Sequence, residues 1–434
     1  MFRQSTRASN VQDLIASIRA QQIIDCKCRP AVEVEIITES GAIGLGAAPT
    51  GTSVGMHESF VLRDGDESTY NGLSVHKAVE IARDVIGPAL VGLDVFDQRA
   101  IDERMIALDG TPNKERLGGN TIYSVSIAAF RAAAAARAIP LYKHIAGRDV
   151  RTVPVPCFNV INGGRYEKFT QAFNEFLIVP YGTDSVDFAI EMAVAVFQRL
   201  GDVLTEYLGH KPQVASSYGY AAPSDDPEVL LELMQRAIDG CGYTGRIAFA
   251  LDCASSEMYD RESRTYLVKG KRVSTEELIA YAKHLSERFN LVFIEDLLDE
   301  NDWAGYSAAV QALPRTIVVG DDLTVTSLPL LQKAHETRAV DGFVLKPNQV
   351  GTVTEALDAF RFAQKHGMLA VPSGRSGGVV DDVVMDFSVG LEVPFQKNGA
   401  PRSGERIEKL NFLMRANARS PGCRLYDISA LLRF

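Results

Sequence analysis

The chain has 434 residues, 46% of them hydrophobic and 23% charged, with a formal net charge of −10. That is an ordinary globular balance, long enough for two domains or one large barrel plus an extension. The acidic balance and the lack of a basic tract exclude a general nucleic-acid binder, which needs Lys and Arg against phosphates; a small anionic substrate remains compatible, because a local pocket can oppose the global sign.

The opening MFRQSTRASNVQDLIASIRAQQ has no continuous apolar core, so it does not read as a secretory signal. No later run reaches the roughly 20 apolar residues of a membrane span. Six cysteines in so long a chain are no disulfide framework, and Cys26 and Cys28 are too close together for a zinc pair. A cytoplasmic protein with reduced thiols is expected.

PAVEVEIITES (30–40) alternates apolar and polar residues and predicts a strand. GAIGLGAAPTGTSVGMHES follows and reads as a long glycine-rich loop of the functional kind. The alanine-rich stretch 117–147 predicts one strong helix, with Pro140 marking its end.

After about 153 the rhythm changes. Short apolar strands (RIAFALD, LVFIED, TIVVGDD, GFVLKP, LAVPSG) alternate with helices near 275–288, 303–312, 327–335 and 353–366. Repeated strand–helix units predict an α/β fold with a parallel sheet. In four units the strand runs straight into Asp, Glu or Lys. Charges gathered at the carboxyl ends of strands point to a barrel rather than an open sheet.

Asp252, Glu295 and Asp321 each follow such a strand. Three converging carboxylates without His or Cys suit a hard cation such as Mg²⁺; the competing explanation is that they cap the next helices. Lys346 ends GFVLK, and Lys397 precedes the last helix. A lysine beside a divalent cation can have its pKa drawn down to serve as a base next to a substrate carboxylate.

From about Asp25 to Ala416 the chain resembles enolases. PTGTSVGMHESFVLRDGD, VPVPCFNVINGG, NEFLIVP, ALDCASSEMY, FIEDLLDENDW, VVGDDLTVT, LKPNQVGTVTEAL and GAPRSGER are similar to enolase segments in the same order. The resemblance implies an N-terminal α+β capping domain over 1–150, with a short extension, and an enolase-type modified β/α (TIM-like) barrel over 151–434. It also implies a homodimer and Mg²⁺-dependent interconversion of 2-phosphoglycerate and phosphoenolpyruvate, with two ions per site. By position, Asp252, Glu295 and Asp321 would hold the tighter ion and Ser53 would serve the second. Lys346 would be the base, Lys397 would bind the substrate carboxylate, Arg375 and Ser376 the phosphate, and Glu175 would assist the acid side.

The departures lie on that acid side. Tyr218, in ASSYGYAAPSDD, stands where enolases have a glutamate, in a segment with no easy proton donor until Asp225. Tyr166 and Gly374 replace histidines, and Asn174 replaces a glutamine. Gly374, Arg165 and Lys168 together suggest more room and more positive charge for a larger anion. Within the family the pattern is therefore also similar to carboxyphosphonoenolpyruvate synthases, which join a nucleotide-carried phosphonoformyl group to an enolpyruvate. That synthase reaction is the leading expectation; ordinary enolase activity is the alternative, and a non-catalytic binding protein the third.

Overall fold

A computed structural model describes residues 12–51, 55–164 and 171–434. The N-terminal part is a three-stranded antiparallel sheet, β1 (Ile15–Ile24), β2 (Pro30–Thr38) and β3 (Ile43–Ala47). It is backed by helices α1 (Gln98–Asp109), α2 (Gly119–Ala136) and α3 (Leu141–Ala146). β2 alternates as predicted, with Val32, Val34 and Ile36 fully buried.

Two expectations change here. The glycine-rich stretch is not loop throughout, because its start forms β3. A Cβ on Gly44 would lie 2.1 Å from the Ala128 carbonyl oxygen, and one on Gly46 2.1 Å from that of Ser124. Glycine is required because β3 lies directly on α2. The single helix over 117–147 is two, broken at Ala138 (φ 52°), and Pro140 caps the start of α3 rather than ending α2.

The rest of the chain builds the barrel. Its strands are β4 (Val155–Asn162), β5 (Glu175–Pro180), β6 (Ile247–Asp252), β7 (Leu291–Glu295), β8 (Ile317–Gly320), β9 (Gly342–Leu345), β10 (Leu369–Pro372) and β11 (Phe395–Lys397). The sheet runs β10-β9-β8-β7-β6-β5-β4-β11, and one parallel bridge, Ser373 to Lys397, joins its two edges. β5 alone is antiparallel to its neighbours β4 and β6. This is an α/β barrel with one reversed strand, and it brings the start of β5 to the same rim as the ends of the others.

Outer helices include α4 (Val186–Leu208), α5 (Pro227–Gly240), α6 (Thr275–Arg288), α7 (Trp303–Ala312), α8 (Leu328–Thr337), α9 (Val353–Lys365), α10 (Val384–Gly390) and α11 (Gly404–Ala418). The four helices predicted between 275 and 366 correspond to α6–α9, to within two residues at each end. The two parts meet through Asp102 of α1, which accepts from the Thr354 amide of α9 at 2.9 Å, and through Lys114–Glu355 and Arg99–Asp358. No helix among the described residues is long and apolar enough to cross a membrane.

Candidate active site

The rim at the strand ends carries the charges. Strand register sets Glu175, Asp252 and Glu295 side by side across β5, β6 and β7. Asp321 follows β8, Lys346 follows β9, and Lys397 ends β11. The helix-cap explanation for the carboxylates does not hold: Ser274 caps α6 and Asp302 caps α7 through their side chains, and Ser327 stands at the start of α8.

These residues form one buried network. Lys397 Nζ lies 2.9 Å from Asp252 Oδ2, 2.5 Å from Glu295 Oε2 and 3.5 Å from Glu175 Oε2. Lys346 Nζ donates to Asp321 Oδ2, whose other oxygen accepts from Gln349 Nε2 at 2.8 Å. Burial would lower both lysines, but the facing carboxylates override it: Lys346 is raised and Lys397 is held well above the ordinary lysine range. On the acids, burial pushes Glu175 up against the pull of Lys397, and pushes Glu295 far up, with Asp252 adding repulsion.

Asp296 and Asp322 were not singled out from the sequence. Their carboxylate oxygens, with one of Asp321, lie within 4.8 Å of one another. The doubled acids of FIED and VGDD were the available signal. Asp296 has a structural duty already, since its two oxygens accept the Asp321 and Asp322 amides at 2.8 and 2.9 Å. Glu295 Oε1, by contrast, is buried without a hydrogen-bond partner among the described residues. A buried orphan oxygen beside Asp252 and Asp321 fits a hard divalent cation, because carboxylate oxygen is the donor such ions take.

Asn174, Glu175, Arg375, Ser376 and Lys397 all line this pocket, with Lys346 and Asp321. Arg375 is buried and pairs with Glu58 at 2.8 Å. Ser53, Arg165, Tyr166 and Lys168 lie outside the described residues. Tyr218 corrects the expectation most: its hydroxyl donates to the Cys26 carbonyl at 2.7 Å, and the Arg406 guanidinium lies 4.8 Å from its ring centre. Burial raises its pKa. It joins the N-terminal part to the barrel, and Ser217, beside it, lines the pocket instead. Nor is there free room at Gly374, because a lysine ammonium fills it.

A barrel whose strand ends present acids and lysines to one pocket defines an enzyme of the β/α-barrel class. Residues 15–145 match the family described as "Enolase, N-terminal domain", and residues 150–423 match "Enolase, C-terminal TIM barrel domain". An enolase of Methanococcus aeolicus is 40% identical over 402 residues, covering 92% of this chain and 94% of that protein. The chain belongs to the enolase family and is an enzyme.

Proposed function

We propose that the chain catalyses the ordinary enolase reaction, Mg²⁺-dependent interconversion of 2-phosphoglycerate and phosphoenolpyruvate, through an altered acid side. One observation carries this reading: Lys346 and Lys397 are held by Asp321, Asp252 and Glu295 on a single barrel rim. The 40% identity to a protein named enolase supports it further.

Asp252, Glu295 and Asp321 are proposed to hold the ion. Bound there, Mg²⁺ would supply positive charge against the dianion formed when a substrate carboxylate loses its α-proton. Lys346 takes that proton in dehydration and returns it in hydration; its ammonium, bonded to Asp321, is the proton-loaded form. Lys397 and Arg375 orient the carboxylate and phosphate. Glu175, whose pKa burial raises against the pull of Lys397, is the group placed to give departing hydroxide its proton. Tyr218 is better read as a positioning residue, since its proton is committed to Cys26. A second Mg²⁺ involving Ser53, substrate contacts from Arg165, Tyr166, Asn174 and Ser376, a homodimer and a cytoplasmic setting complete the reading.

The altered acid side favours a second reading, synthase-like transfer to an enolpyruvate, in which hydroxide is not the leaving group; the comparisons do not support it. Purified protein with Mg²⁺ and 2-phosphoglycerate separates the two. The first reading expects phosphoenolpyruvate to form, about 10²-fold or more slower than with a full acid set. No phosphoenolpyruvate, with a new phosphorus resonance from a nucleotide-linked phosphonoformate and an enolpyruvate donor, would transfer the proposal to the second.

A further inference from the structure

The pocket wall at Gly374 is supplied from elsewhere in the chain. A Cβ built on Gly374 would lie 2.4 Å from Lys409 Nζ, 3.4 Å from Lys409 Cε and 3.5 Å from Asp382 Oδ2. A side chain at 374 would therefore have to displace the Lys409 ammonium, which lies where its Cβ would be. Lys409 lies on α11, is only 4% exposed, and lines the pocket together with Lys346, Arg375 and Lys397. One helical turn back, Glu405 Oε1 lies 2.5 Å from its ammonium, and the same carboxylate pairs with Arg406 at 2.6 Å.

That cluster is one negative charge against two positive ones. Asp382, the other acid on this wall, has an Oδ2 buried without a hydrogen-bond partner among the described residues. Burial pushes its carboxyl above the ordinary range against the pull of Lys409. The wall therefore places two cations, Lys409 and Arg406, at a pocket that already holds several acids.

We infer that Lys409 is a substrate-binding residue, whose ammonium, admitted by the missing side chain at Gly374, binds an anionic oxygen of the phosphorylated substrate. This rests on the proposed substrate class. The glycine and the lysine then form a pair: the first makes the space, and the second fills it with a hydrogen-bonding charge. Such a bond strengthens where water is excluded.

The test is calorimetric titration of the full-length protein with phosphoenolpyruvate in the presence of Mg²⁺, and separately with inorganic phosphate. Lys409→Met, which keeps the stem and removes the charge, is expected to weaken phosphoenolpyruvate binding about tenfold or more in a protein that still unfolds cooperatively, with a lowered midpoint from the lost pair with Glu405. Lys409→Arg should retain most of the affinity. Gly374→Ala keeps the charge but displaces it, and should weaken binding severalfold. Wild-type affinity in a folded Lys409→Met protein overturns the inference. Should that variant not fold, wild-type affinity in Gly374→Ala overturns it instead. A wild type that binds phosphate but not phosphoenolpyruvate sinks the proposed substrate class alone, and the inference then stands or falls on whether Lys409→Met weakens phosphate. A wild type that binds neither sinks both.

Discussion

Lys346 and Tyr218 sit on the same rim with opposite fates. The lysine faces the pocket and bonds Asp321, whereas the tyrosine turns its hydroxyl to the Cys26 carbonyl at 2.7 Å. With 2-phosphoglycerate and Mg²⁺ in D₂O, Lys346→Ala should slow α-proton exchange by about 10³-fold, the usual worth of a positioned base. Tyr218→Phe should leave exchange near wild type and cost about 1 kcal/mol of stability, one neutral hydrogen bond. NMR of the substrate and urea unfolding read the two effects; exchange surviving in Lys346→Ala would reveal another base. The ion can be assigned in the same way. Asp252→Asn should abolish the Mg²⁺-dependent rise in unfolding midpoint, and Asp322→Asn should keep it, because a ligand stabilises only the state that binds it. The reverse pattern would move the ion to Asp296, Asp321 and Asp322. Asp252, Glu295, Asp321 and Lys346 were legible because each follows an apolar strand, and Lys397 because it precedes the last helix. Lys409 was not: its role depends on a glycine 35 residues away in sequence, and no spacing rule joins the two.

At the scale of elements, β3 and α2 show why a strand can hide in a glycine-rich run. Gly44 and Gly46 alternate with the exposed Ile43 and Leu45, so the stretch lacks the inward apolar residues by which strands are recognised. Their inward face is the backbone of α2 itself. Gly46→Val should therefore destabilise the protein by about 3 kcal/mol, the upper end for overpacking, while the same change at Gly41, where only the positive φ of 85° resists a side chain and nothing crowds it, should cost less. Differential scanning calorimetry would compare them, and equal losses would mean that backbone freedom, rather than contact, decides. The outer helices α6, α8 and α9 were legible for the opposite reason, since each pairs a recognisable start with an amphipathic face, and α7 by the Asp302 cap at its start.

Across the whole molecule, the two parts are linked by a buried acid. Asp102 accepts from Gln98 Nε2, Ser126 Oγ and the Thr354 amide at 3.0, 2.7 and 2.9 Å. Burial outweighs these bonds and raises its pKa from 3.8 to about 6. The folded state thus binds a proton that the unfolded state has released between those values. Stability contributed by the neutral form should decline as pH rises through that window, by up to about 3 kcal/mol. Asp102→Asn should lose this slope, so that its stability relative to the parent protein improves as pH rises; urea unfolding from pH 4 to 7 would show it, and an unchanged slope would place the titration elsewhere. The barrel has its own join, the single bridge between Ser373 and Lys397. Every other neighbouring pair along the ring is a ladder of two or more register positions. The hoop is therefore fastened by one clasp, and the clasp is made of two residues that line the pocket. A molecule seated against Lys397 would lock the clasp as well as fill the pocket. Amide exchange at 373 and 395–397 should then slow more on substrate binding than at any ladder on the far side of the ring.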